Sequence, residues 1–235
     1  MSAPRAPQPI PPVVAALAGD RPVTAVWVNE LGGVTFAIGT APPTEYVKSY
    51  PGEFAHLLAA EVPRLRWARA YTPVPAVLGA GPGWLHTAAV PGRSAVDPLW
   101  SEHPETAAAA IGAGLRGLHD ALPVPDCPFG PPSWVGAAAP PDRLVVCHGD
   151  ACAPNTLMAD DGSCAGHVDL GDLGVADRWA DLAVATMSLD WNFPVAGDGS
   201  SAWEAVLLDA YGVAPDRDRI AVYRALWNDE PVAPG

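Results

Sequence analysis

Apolar and polar residues alternate with a two-residue period from Val23 to Tyr50, interrupted at Gly32–Gly33 and at Pro42–Pro43. The segments TAVWVNE, GGVTFAIG and EYVKSY therefore predict three strands of an antiparallel meander. From Gly52 to Ala70 the apolar positions recur at helical spacing, with Pro63 as a weak point. VPAVLGAG and GWLHTAAV predict two further strands. The pattern changes around Pro91–Gly92. Glu105 to Leu122 predicts a helix, followed by a proline-rich loop through Pro141 and an apolar strand, RLVVC. TLMA and CAGHVDL flank the turn Asp160–Asp161–Gly162 and predict a hairpin. The remainder predicts three helices: ADRWADLAVATMSL, SSAWEAVLLDAYG with a serine N-cap and a Gly212 stop, and DRDRIAVYRALW. The expected fold class is α+β in two lobes. An N-terminal lobe (1–90) has an antiparallel sheet and one helix, and a larger, mostly helical C-terminal lobe (91–235) holds the hairpin. Residues 1–12 are proline-rich and predict a loose arm.

Composition narrows the classes. The 235 residues are 49% hydrophobic and 17% charged, enough for a packed core. The formal charge of −13 speaks against nucleic-acid phosphates or anionic membranes as partners. It fits either an acidic solubilising surface or a site for a cationic substrate. Cys127, Cys147, Cys152 and Cys164 show no CxxC spacing, and free thiols in a reducing cytoplasm are expected. The N-terminus lacks the pattern of a signal peptide, and no apolar run approaches the ~20 residues of a membrane span. Of 13 basic residues twelve are arginine, and Lys48 is the single lysine. A lone lysine points to a place where a compact ammonium is required and a planar guanidinium does not fit.

The candidate chemistry lies in HGDACAPN, where Asp150 precedes Asn155 by five residues, and in VDLG, where Asp169 follows nineteen residues after Asp150. Phosphoryl transfer needs a grip on phosphates, a hold on Mg²⁺ and a carboxylate to orient the attacking hydroxyl. Mg²⁺ takes hard oxygen ligands, so Asn155 and Asp169 are the expected metal ligands and Asp150 the catalytic carboxylate. Singly, each is an ordinary turn or cap residue; the ordered set carries the expectation. The same residues admit a second reading. His148–Asp150 and His167–Asp169 form two HxD pairs of the kind found in binuclear hydrolases, although no third histidine or glutamate cluster completes such a site and Asn155 goes unused. Lys48 interrupts an apolar strand, and the following helix offers Glu61. Such a pair suits a grip on α- and β-phosphates. The turn at Gly32 and Gly33 is expected to cover the triphosphate, and Thr87 to Ala89 to meet adenine through the backbone.

HGDACAPN followed by HVDLGDLGVADRWADLAVAT resembles the aminoglycoside phosphotransferases, above all their 3'-phosphotransferase branch. EYVK, Glu61 six residues before Trp67, TPVPAVL, LRGLHDALPVPDCPF and YGVAPDRDRIAVYRALW extend the resemblance from about Trp27 to Trp227. It implies a bilobal, protein-kinase-like fold and ATP- and Mg²⁺-dependent phosphorylation of an antibiotic hydroxyl in the cytoplasm, by a monomer or weak dimer. Asp150 is then the base, Asn155 and Asp169 hold Mg²⁺, Lys48 contacts phosphates and Glu61 orients Lys48. His148 would support the catalytic loop, with Asp177 and Asp181 structural. Three features depart from the family. Asp172 and Met187 stand where arginine is frequent, and the acidic C-terminal end aligns poorly, leaving Asp229 and Glu230 as candidate contacts to the antibiotic's amines. Aminoglycosides are polycations, so the −13 charge fits them. Another hydroxylated metabolite as acceptor, or a nucleotide-binding pseudokinase, remain as alternatives.

Overall fold

The alternation between Val23 and Tyr50 becomes the antiparallel strands β1 (Val23–Val28), β2 (Val34–Ile38) and β3 (Glu45–Ser49). With β4 (Val77–Gly81) and β5 (Trp84–Ala88) they form one sheet in the order β1-β2-β3-β5-β4. The computed structural model describes Pro4 and residues 6–136, 140–193 and 202–229. Two units emerge: residues 1–70 with 75–89, and residues 71–74 with 90–235. The short segment Tyr71–Val74 belongs to the second unit, where the Pro73 carbonyl accepts from His167 N–H at 3.4 Å.

In the first unit the two-residue period of β-structure separates two faces. Phe36 and Val47 are opposite partners and, with Ile38, are buried against Val14 and Ala18 of a short helix, α1 (Pro12–Ala18). This helix begins inside the stretch expected to be a loose arm. Val14, Phe36, Ile38 and Val47, fully buried there, each contribute on the order of 1.5–3 kcal/mol. The other face presents Lys48 and its register partner Leu85. Helix α2 (Ala55–Ala68) runs through Pro63 without ending and packs on β4 and β5. Its buried stripe is Leu58, Glu61, Leu65 and Ala68, an apolar helical spacing with one carboxylate inside it.

The second unit is built on α4 (Pro104–Ala121), preceded by a two-residue strand β6 (Arg93–Ser94) and a short helix α3 (Pro98–Ser101). Ala107, Ala108, Ile111, Leu115, Leu118 and His119 form much of the buried face of α4. Gly112 lies mid-helix, where glycine costs about 1 kcal/mol against alanine. The reason is packing: a Cβ there would collide with the Leu207 carbonyl of α6 (Ala202–Tyr211). Strand β7 (Leu144–Cys147) leads into the HGD loop, and β8 (Thr156–Met158) and β9 (Cys164–His167) form the expected hairpin, with β6 on its edge. The segment GVAD, expected to lead straight into helix, is instead strand β10 (Gly174–Asp177), paired antiparallel with β7. Asp177 then caps α5 (Arg178–Asn192), accepting from Trp179 N–H. Helix α7 (Arg217–Trp227) closes the described chain. The serine cap expected for α6 lies outside the described residues.

Candidate active site

In the first unit, strand β3 and helix α2 bring Lys48 and Glu61 together. The ammonium lies 2.8 Å from each Glu61 oxygen, and the two side chains are 16% and 5% exposed. Removing a charge pair from water costs several kcal/mol per ion unless geometry and hydrogen bonds restore it. A two-oxygen contact between regular elements meets that condition and holds the ammonium in place on the sheet. The glycine turn is tied down from within: Asn29 Oδ1 accepts from Leu31 and Gly33 N–H at 3.1 and 2.7 Å, and Gly32 N–H donates to the Asn29 carbonyl at 3.2 Å. Asn29 Nδ2 in turn donates to the Tyr50 hydroxyl at 2.7 Å. The amides of Gly32 and Gly33 are thus engaged inside the turn. The reading of this turn from its glycines missed the asparagine that organises it. Thr87 is buried within β5, and Ala89 N–H donates to the Thr44 carbonyl at 2.8 Å.

In the second unit the HGD loop leaves β7 and is held by its own polar groups. Asn155 stands in a single 3₁₀ turn (Ala153–Asn155), and its Nδ2 donates to the Asp150 carbonyl at 2.9 Å. With its nitrogen so committed, the amide keeps its oxygen as the group to offer a cation. The Asn155 carbonyl accepts from Val168 N–H at 3.0 Å, which ties the loop to the segment bearing Asp169. Asp169 has φ +65°, a left-handed conformation that costs a non-glycine residue roughly 1–3 kcal/mol and concentrates at functional sites. Asp150 Oδ1 is buried with no hydrogen-bond partner among the described residues. Burial pushes the Asp150 carboxyl above its usual range and the Asp169 charge adds to that, while Cys152, His148 and Asn155 act in the opposite direction. The Asn155 amide oxygen and the Asp169 carboxylate offer hard oxygens of the kind Mg²⁺ takes, and the Asp150 carboxylate, close enough to feel the Asp169 charge, is a separate group beside them.

A second layer braces this loop. Asp181 of α5 is fully buried and accepts from the backbone N–H groups of His148 and Gly149. It also bonds His119 Nε2 at 2.9 Å, and His119 Nδ1 bonds the Tyr211 hydroxyl at 2.9 Å. Burial opposes the Asp181 charge, but the His119 bond leads the interactions that hold its carboxyl below the usual range. Ser188 Oγ accepts from Ala153 N–H at 2.9 Å. His119, Cys147 and Asp181 offer ligand atoms within 4.8 Å of one another. Both nitrogens of His119 are already engaged, so the cluster is a hydrogen-bonded brace and not a metal centre.

The HxD alternative fares badly in this geometry. His148 Nδ1 accepts from Asp150 N–H at 3.2 Å, which leaves the proton on Nε2. His167 is buried, its ring edge-on to His148 with centroids 5.6 Å apart, and burial takes its pKa down to about 3. The two rings pack against each other, and burial keeps that of His167 neutral. Asp172, where the resemblance led to arginine, is engaged as an anchor: Oδ2 accepts from Ser133 N–H and Oγ at 2.8 and 2.9 Å. Met187 is nearly buried in α5, its sulfur 3.9 Å from Asn228 Nδ2. Asp229 is exposed just after α7 with φ +54°. Glu230 lies outside the described residues.

Comparison with known proteins fits this set. Residues 132–223 match the model of the phosphotransferase enzyme family. The chain is 34% identical to an aminoglycoside 3'-phosphotransferase of Streptomyces fradiae, over 75% of its own length and 81% of that protein. It is 32% identical to a streptomycin 3''-kinase of Streptomyces griseus, over 92% and 94%. The chain belongs to the aminoglycoside phosphotransferase family. Among solved structures it is similar to the aminoglycoside phosphotransferase APH(3'')-Id from Streptomyces rimosus in complex with ADP and streptomycin, with TM-score 0.69, 27% identity, and coverage of 91% and 94%. As a family member the chain is an antibiotic-modifying phosphotransferase with a protein-kinase-like fold and ATP as its co-substrate. No helix among the described residues is long and apolar enough to cross a membrane.

Proposed function

We propose that this aminoglycoside phosphotransferase moves the γ-phosphoryl of ATP onto a hydroxyl of an aminoglycoside, with Asp150 as the base. The observation that carries the reading is the buried Oδ1 of Asp150, without a hydrogen-bond partner among the described residues, on a residue whose own N–H and carbonyl are both hydrogen-bonded. Burial and the Asp169 charge raise its proton affinity, which moves a carboxylate towards the range useful for general-base work. In the proposed reaction Asp150 aligns the acceptor hydroxyl and takes its proton as the new P–O bond forms and the bond to the β-phosphate oxygen breaks. Asn155 and Asp169 hold Mg²⁺, which when bound neutralises charge on the phosphates. Lys48, fixed by Glu61, grips the α- and β-phosphates.

The charge of −13 favours a polycationic acceptor by raising its local concentration. Asp229 and Glu230 are candidate contacts for its amines, the Gly32–Gly33 turn for the triphosphate, and the backbone of Thr87 to Ala89 for adenine. The reading includes a cytoplasmic protein acting as a monomer or weak dimer.

ADP release by purified protein with ATP, Mg²⁺ and a panel of aminoglycosides tests the proposal. Asp150→Asn is expected to lower turnover by at least ~10²-fold with unchanged thermal unfolding. Absence of turnover on every panel member rejects the substrate class, and equal ADP release from the variant rejects the role of Asp150.

A further inference from the structure

Three segments far apart in sequence meet beside the catalytic loop. One is the irregular strap Gly130–Gly136 between α4 and β7, another the turn carrying Asp172, and the third the loop itself. Trp134 Nε1 donates to the Gly149 carbonyl at 2.7 Å. The N–H on the other side of that same peptide, from Asp150, donates to His148 Nδ1 at 3.2 Å. Both polar ends of the Gly149–Asp150 peptide are therefore held, and rotating this plane is the motion that would swing the Asp150 side chain. Gly149 has φ +86°, and a Cβ there would collide with the Asp172 carbonyl, so loop and turn touch backbone to backbone. The Asp172 carboxylate reaches the other way and fastens Ser133, the residue before Trp134. At the strap's start, Gly130 closes against Gly174 so tightly that a Cβ on Gly174 would collide with its carbonyl. The Trp134 ring meets Trp227 of α7 edge-on, with centroids 5.0 Å apart and planes at 83°.

We propose that Ser133, Trp134 and Asp172 form a clasp that positions Asp150 by fixing the Gly149–Asp150 peptide. Trp134 and Asp172 are positioning residues that act through the loop. The aspartate in place of the family's frequent arginine is the fastener of this strap. The inference rests on the reading of Asp150 as the base, because a misplacement of about 1 Å at a reacting group is enough to cost up to ~10²-fold in rate. The Trp227 contact makes α7 the wall against which the strap is set.

The experiment compares wild type, Trp134→Phe, Asp172→Ala and a control, Ile111→Val, in the full chain. Trp134→Phe keeps an aromatic side chain at this position and removes the N–H donor together with part of the ring, a loss of packing that the thermal unfolding and the Ile111→Val control account for. Ile111→Val lowers stability by about 1 kcal/mol away from the loop. Three readouts are taken: kcat and KM for ATP with an aminoglycoside acceptor, thermal unfolding, and hydrogen exchange of the peptide spanning His148 to Asn155. Trp134→Phe is expected to lower kcat about fivefold to tenfold, the scale of one lost hydrogen bond, while KM for ATP stays within about twofold. Exchange in the loop peptide rises and that of the first unit is unchanged. Asp172→Ala shows the same pattern with smaller amplitude, and Ile111→Val shows neither change. Unaltered loop exchange in Trp134→Phe overturns the clasp, as does a loss of kcat shared equally by Ile111→Val. If wild type turns over no aminoglycoside and the exchange difference is still present, the clasp stands and the proposed substrate falls.

Discussion

The two units hold their functional groups by opposite means. In the first, Lys48 and Glu61 sit on a regular strand and a regular helix whose backbone groups are already paired, so a single two-oxygen ion pair suffices to place the ammonium. In the second, Asp150 and Asn155 sit on irregular backbone where each polar group needs its own partner. Asp181, His148, Ser188 and Trp134 supply those partners from four places in the chain. Regular elements position a side chain at little cost in auxiliary residues. A loop needs a supporting layer, and in this one Asp181, His148, Ser188 and His119 are all buried.

The contrast is breakable, and its loop side should break hardest. Asp181→Ala leaves His119 and two backbone N–H groups without their shared acceptor, which is expected to cost about 3–5 kcal/mol. Urea denaturation should show that loss, and activity should vanish even for the folded fraction. A loss under ~1 kcal/mol would show that the brace is dispensable. On the sheet side, Lys48→Ala should lower kcat/KM by about 10²-fold, roughly 2.7 kcal/mol of transition-state stabilisation. Lys48→Arg should not restore it, because a planar fork does not reproduce a point charge seated on Glu61. Lys48→Ala also takes one partner from the buried Glu61 carboxylate, so stability falls too, but no backbone N–H loses its acceptor; a loss exceeding that of Asp181→Ala would undo the contrast.

A third test concerns the buried ring beneath the loop. Burial keeps His167 neutral with a pKa of about 3, whereas the unfolded chain titrates it near 6.5. Between those values the unfolded state binds the extra proton, so stability is full above pH ~6.5 and falls as the pH drops. The expected loss from this group is about 2 kcal/mol by pH 5. His167→Gln should flatten that part of the stability-versus-pH curve, measured by denaturation at several pH values. An unchanged slope would remove His167 from the account.

Legibility in the sequence followed the same division. The meander, the β8–β9 hairpin and helices α2, α4, α5 and α7 were readable because their side chains repeat with the period of the element that buries them. Lys48 and Glu61 were readable as a pair because one charged residue in an apolar strand and one in an apolar helical stripe each call for a partner. Helix α1 was hidden by the prolines before it, although Pro12 sits at its first position, where a missing N–H costs nothing. Strand β10 was hidden because it runs into α5 without a break, so Ala176 and Asp177 read as the start of that helix. Asn29, Ser133, Trp134 and Ser188 left no signal as site residues. Each acts through hydrogen bonds to groups remote in sequence or within a turn read only by its glycines.

The sequence by itself supplied the candidate groups for the proposed chemistry: a lone lysine, a carboxylate in the next helix, and an ordered set of Asp150, Asn155 and Asp169 at the ends of predicted strands. Local periodicity and residue type carry that information, since each depends on neighbours a few positions away. Tertiary structure alone decided that Asp172 is an anchor, that His148 and His167 pack ring against ring, and that Asp181 carries the loop on its carboxylate. Those roles come from hydrogen bonds and burial between segments tens of residues apart, where no pattern along the chain encodes who meets whom.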